Sequence, residues 1–187
     1  MTGPLPTLRI PSLFVAEIQK RLHLCMFIDT GTWEGLTAIW AAQHFDRVHT
    51  IEIDEARFHA ACGKIMGLGL HDTIVTHLGD SREVLEKIIP FVDSTTFFWL
   101  GARTEDDCPL MEELALIRGG SDSHFIMIDD MERFRKGVYP TWPTFDEICA
   151  VLKGLAFFLE GDVLTAFPHE YTQVVMSVIQ KARKEKL

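Results

Sequence analysis

Two carboxylates, Asp129 and Asp130, close an apolar run, "HFIMIDD", in the later half of a 187-residue chain. An acid pair at the end of a buried strand can orient or deprotonate a hydroxyl; it can equally cap a helix or pair with Arg133 or Arg135. Asp129 is the preferred base, because the strand terminus aims it at whatever crevice lies beyond. A second constellation stands upstream in "FIDTGTWEGLTAI", where Asp29 runs into a turn marked by Gly31 and Gly35. Gly31 allows a tight turn and a close approach of backbone to a ligand, and Gly35 lets the following helix pack near the strand. Glu52, about 20 residues beyond the turn, is an acceptor for the two hydroxyls of a ribose. Asp80 and Ser81, in "GDS", are placed to receive the exocyclic amine of an adenine. The bulk of Trp33 in the middle of the turn crowds a diphosphate and suits a nucleoside ligand without one.

These groups share one crevice only if the chain alternates strands and helices, and its periodicity does so. After a leading helix over residues 13–21, strands are expected at 24–29, 47–54, 73–79, in "STTFFWLG" and in "HFIMIDD", each followed by a helical pattern. Ser81 is the expected N-cap of the fourth helix, which ends at Pro90. Such alternation predicts an α/β fold: a doubly wound, mostly parallel, Rossmann-like sheet with ligands at the carboxyl ends of its strands. Beyond a helix from Thr144, "LAFFLEGDVLTAF" and "YTQVVMSVIQ" are expected to form an antiparallel hairpin at a sheet edge, with no long helix. The basic tail "KARKEKL" is expected to be a solvated, frayed end.

"FIDTGTWEGLTA", "TIEID", "HLGDSREVL", "FFWLGA" and "FIMIDD" together resemble the class I S-adenosylmethionine-dependent methyltransferases, and the first segment is similar to the turn of small O-methyltransferases. The resemblance spans residues 24–130. It implies seven strands with an antiparallel C-terminal hairpin, and S-adenosylmethionine as cofactor. It places Asp29, Gly31, Thr32, Trp33 and Gly35 around the methionine part of the cofactor, Glu52 at the ribose, and Asp80 and Ser81 at the adenine. One methyltransferase-like domain is expected over 1–187, divided into an extension and helix (1–23), a cofactor-binding core (24–130) and a substrate-side loop with the hairpin (131–187). The implied reaction is methyl transfer to a hydroxyl of a small molecule such as a sugar. The alternatives are a binding protein of the same fold without catalysis and, against the bulk of Trp33, an NAD-dependent dehydrogenase.

A subset of that family holds Mg²⁺ with an acid after strand four, in a segment like "FWLDAH", and a double acid after strand five. Here strand four ends "FFWLGAR", with Gly101 and Arg103 in place of the acid and the histidine. Two adjacent carboxylates make a thin site for a hard cation, and Arg103 can itself neutralise Asp129 or Asp130, so no metal is expected. His169, in "FPHEY", is a weaker candidate base. Trp142, in the proline-punctuated "GVYPTWPTF", is expected to lie over the pocket.

A formal net charge of -9 argues against a phosphate-neutralising surface, so nucleic acid is not an expected partner. No secretory signal or membrane span is visible, which predicts a cytoplasmic protein. Nothing in the composition forbids a homo-oligomer. The four cysteines lack metal-ligand spacing and are expected to be reduced, mostly buried thiols.

Overall fold

A computed structural model describes residues 8–185. Most of the expected proline-rich extension and the end of the basic tail lie outside the described residues. The elements are α1 (Ser12–Leu22), β1 (Met26–Thr30), α2 (Leu36–Ala41), β2 (Arg47–Glu52), α3 (Glu55–Gly67), β3 (Ile74–Leu78), α4 (Ser81–Ile88), β4 (Thr96–Leu100), α5 (Leu110–Gly120), β5 (Phe125–Ile128), α6 (Met131–Lys136), α7 (Phe145–Val151), β6 (Ala156–Glu160), β7 (Val163–Phe167) and α8 (Thr172–Glu185).

They build one seven-stranded sheet of order β3-β2-β1-β4-β5-β7-β6. The first five strands run parallel; β7 is antiparallel to β5, and β6 completes the hairpin at the edge. Strand order therefore reverses between β1 and β4, where a doubly wound sheet opens its ligand crevice. The register brings the carboxyl ends level: Thr30 lies beside Ile51 on one side and Leu100 on the other.

Every residue of β4 is buried, since helices cover both faces of the sheet. Phe97 and Trp99 join a core with Phe14 and Ile18 of α1, Ala38 of α2, Ile65 of α3 and Val175 of α8. Phe98 and Leu100 join the opposite core with Leu85 of α4, Leu114 of α5 and Ile148 of α7.

The C-terminus departs from the expectation. The whole hairpin lies within "LAFFLEGDVLTAF", turning at Gly161 and Asp162, and "YTQVVMSVIQ" supplies most of a 14-residue helix, α8. Its valines suggest strand by type, but Val175 and Val178 are buried three residues apart on a helical face, and packing on the core decides. The tail is helical as far as the described residues go, and Lys181 pairs with Glu17 of α1 at 3.6 Å. The cysteines also differ, Cys25 being exposed and the other three half-buried, all as free thiols. No helix among the described residues is long and apolar enough to cross a membrane.

Candidate functional site

The β1–α2 turn carries three positive-φ residues, Gly31, Trp33 and Gly35. Gly31 has φ +84°, and a Cβ built on it would lie 2.8 Å from the backbone carbonyl of Gly101. That carbonyl belongs to the segment leaving β4. A Cβ on Gly101 would in turn lie 3.0 Å from the Thr30 carbonyl, to which the Gly101 amide donates at 2.8 Å. Two glycines thus let the ends of β1 and β4 touch at the switch point. The sequence motivates Gly31 by a ligand; the structure adds a neighbouring backbone.

A cavity of about 800 Å³ opens over these ends, within the range of small-ligand sites. Gly31, Thr32 and Trp33 form part of its wall, with Glu52 beside them. Glu52 is 5% exposed; one oxygen accepts from the Trp33 amide at 2.8 Å and the other from the Asp54 amide at 3.1 Å. A carboxylate has about four lone-pair positions, so this one is oriented by backbone and retains capacity to accept. The Trp33 ring is 57% exposed, with the Arg57 guanidinium 4.0 Å above its centre.

Asp29 and Gly35 are not on the cavity wall. Asp29 is buried behind the turn, where one oxygen accepts from Thr50 at 2.7 Å and the other has no hydrogen-bond partner. Burial pushes its carboxyl up to about 7 despite the Thr50 bond, and Glu52 adds to the rise. Gly35 faces Ala61 of α3 rather than a strand.

Asp80 and Ser81 do line the cavity. Asp80, not Ser81, is the N-cap of α4, accepting from the Arg82 amide at 2.9 Å. Its short acidic side chain reaches back to the first free amides better than a residue already inside the helix. The Arg82 guanidinium clasps both Asp80 oxygens and bridges to Asp107 at 2.8 Å, holding the Asp80 carboxyl below the usual range. That clasp leaves Asp80 oriented and largely occupied.

At the other end of the cavity stand Asp129 and Asp130, both buried. Asp130 adopts φ +58°, a conformation uncommon for a residue with a side chain, and its amide donates to Asp129 Oδ1 at 2.7 Å. Burial raises the Asp129 carboxyl from its ordinary value, with Arg103 and Arg9 opposing. Arg103 pairs with Asp130 at 3.2 Å, and its side chain is 6% exposed beside the rings of Phe134 and Trp142. Trp142 does lie against the cavity; its indole donates to the Thr104 carbonyl at 2.8 Å, pinning the loop between α6 and α7 to the loop after β4.

Three residues absent from the sequence reading matter here. Asp162, in the β6–β7 turn, joins Asp129 and Asp130 to offer one oxygen each within 4.8 Å of one another, and Arg9 reaches all three. Glu113 of α5 is buried beneath Thr30 and Ser81. No local motif marks them, because each acquires its neighbours through tertiary contact. His169 is exposed at the end of antiparallel β7, beside the beginning of β5, so the topology carries it away from the crevice.

No protein-family model matches the sequence, and no curated protein does. Solved structures do match in fold. An O-methyltransferase from Bacillus cereus in complex with S-adenosylhomocysteine superposes with a TM-score of 0.66 at 18% identity, over 88% of this chain and 84% of that one. The O-methyltransferase TomG from Streptomyces achromogenes, in complex with S-adenosylmethionine, gives 0.63 at 16% identity, over 87% and 82%. The S-adenosylhomocysteine-bound methyltransferase PaMTH1 from Podospora anserina gives 0.64 at 13%, over 87% and 79%. The chain has the class I S-adenosylmethionine-dependent O-methyltransferase-like fold.

Proposed function

We propose that the protein binds S-adenosylmethionine in the cavity at the β1/β4 switch point and transfers its methyl group to a hydroxyl of a small molecule. The observation that carries this reading is Glu52: an acid at the end of β2, fixed by two backbone amides on the wall of a cavity that also reaches Asp129. Glu52 would hold the ribose hydroxyls, the turn from Gly31 to Trp33 the methionine part, and the Gly79–Ser81 segment the adenine, with Asp80 oriented by Arg82. The bound cofactor supplies a methyl group already activated by its sulfonium, so the protein's main task is to place an acceptor in line with it.

Asp129 is the residue proposed to receive the acceptor's proton. Burial raises its proton affinity, the direction that makes a carboxylate a better base. Tyr139 and Trp142, on the wall formed by the joined loops, would select the acceptor by shape. A second reading, a binding protein without catalysis, is favoured by one observation: two guanidiniums, Arg9 and Arg103, already occupy the acids at the reacting end.

Calorimetry with S-adenosylmethionine, S-adenosylhomocysteine and NAD tests the binding step. The two sulfur ligands are expected to bind and to raise the melting temperature, as ligands selective for the folded state do, and NAD is not. Preference for NAD would overturn the proposal. Transfer of labelled methyl from S-adenosylmethionine to a panel of sugars and other small alcohols then separates the readings; binding without transfer to any of them favours the second.

A further inference from the structure

Arg9 lies just ahead of α1, far in sequence from the acids it meets. Its Nη2 is 2.6 Å from Asp130 Oδ1, 3.1 Å from Asp129 Oδ1 and 3.2 Å from Asp162 Oδ2. One nitrogen sits among three carboxylates drawn from the end of β5 and the β6–β7 turn, an arrangement in which hard divalent ions also gather oxygens. Asp162 is fixed in turn, since its side chain accepts from the Glu132 amide at 2.5 Å and its carbonyl from the Met131 amide at 3.1 Å.

The fold's metal-using members would place a divalent ion at the ends of strands four and five, and the residues here do not fit one. Gly101 supplies no ligand and has little room for a side chain against the Thr30 carbonyl. Arg103 brings a positive charge to Asp130 from the protein interior. Against the burial that would raise it, the contacts with Arg9 and Arg103 hold the Asp130 carboxyl below its ordinary value.

We infer that Arg9 is the resident cation of this acid cluster: its guanidinium takes the place of a divalent ion, supplies one positive charge shared by Asp129, Asp130 and Asp162, and positions Asp129 at the cavity wall. Arg9 is a positioning residue in this account. A guanidinium suits the role because it stays charged and presents several donors in a fixed plane. The inference concerns the charge state of the cluster and stands whether or not methyl transfer follows.

Mn²⁺ titration, read from loss of the free-ion paramagnetic resonance signal, tests it on wild type, Arg9→Ala, Arg9→Gln and Arg9→Lys. Removing the guanidinium leaves the three carboxylates without their shared counter-charge, so Arg9→Ala and Arg9→Gln should bind Mn²⁺ about tenfold or more tightly than wild type. Arg9→Lys should suppress binding as the wild type does. Adding Asp162→Asn to Arg9→Ala should abolish the gain, which locates the ion at the cluster. Equal affinity in wild type and the two neutral variants, whether strong or weak, would overturn the inference, as would Mn²⁺ binding to Arg9→Lys as tight as to Arg9→Ala.

Discussion

Glu113 shows how one side chain can carry a property that its sequence position hides. It is 1% exposed, and neither carboxylate oxygen has a hydrogen bond, although the Thr30 and Ser81 hydroxyls lie near it and Arg103 and Asp80 are the charged groups facing it. Burial pushes its carboxyl up to about 7, against the pull of the hydroxyls and Arg103. In the unfolded chain the group ionises near 4.5, so between those values the folded state binds more protons than the unfolded state. Its contribution to stability is then full below about pH 4.5 and is lost as pH rises through about 7. Glu113→Gln, which mimics the protonated acid, should match wild type near pH 4 and exceed it at pH 8 by on the order of 3 kcal/mol. Denaturant melts at the two pH values check this, and a constant difference would place the proton elsewhere. A position fixed by chain-local pattern was legible in the sequence, as that of Glu52 at the end of β2 was. Glu113 was not, because nothing in "CPLMEELALI" says which of its acids points inward.

Among elements, the contact of β1 with β4 sets the shape of the crevice. Gly31 and Gly101 permit the two strand ends to touch, so the glycine turn serves the fold before any ligand arrives. Gly31→Ala should therefore destabilise the unliganded protein by about 1–3 kcal/mol, through both the positive φ and the Cβ overlap. Unchanged unfolding in denaturant would mean that only a ligand requires the glycine. The strand-helix alternation was readable because each parallel strand is an apolar run bounded by turn residues. α8 was not, because its valines at 174 and 175 favour strand by type while their burial against α1 and the sheet is a tertiary fact. The hairpin was expected at a sheet edge and lies at one, but its second strand comes earlier in the chain than the sequence suggested.

At the scale of the molecule, the sheet reverses order at one place, and the cavity there joins Glu52, at the end of β2, to Asp129, beyond the end of β5. The loop after β4 and the loop between α6 and α7, tied through Thr104 and Trp142, close the cavity on the Asp129 side. Arg9, just ahead of α1, reaches the same wall. The central claim is that this crevice holds an adenosyl ligand by its ribose. It is tested most directly by calorimetric titration of S-adenosylhomocysteine into wild type and Glu52→Ala under identical conditions. Loss of hydrogen bonds to a charged acceptor should weaken binding by about 1–3 kcal/mol, while the melting temperature without ligand stays near that of wild type. Unchanged affinity in a folded Glu52→Ala protein would contradict the account.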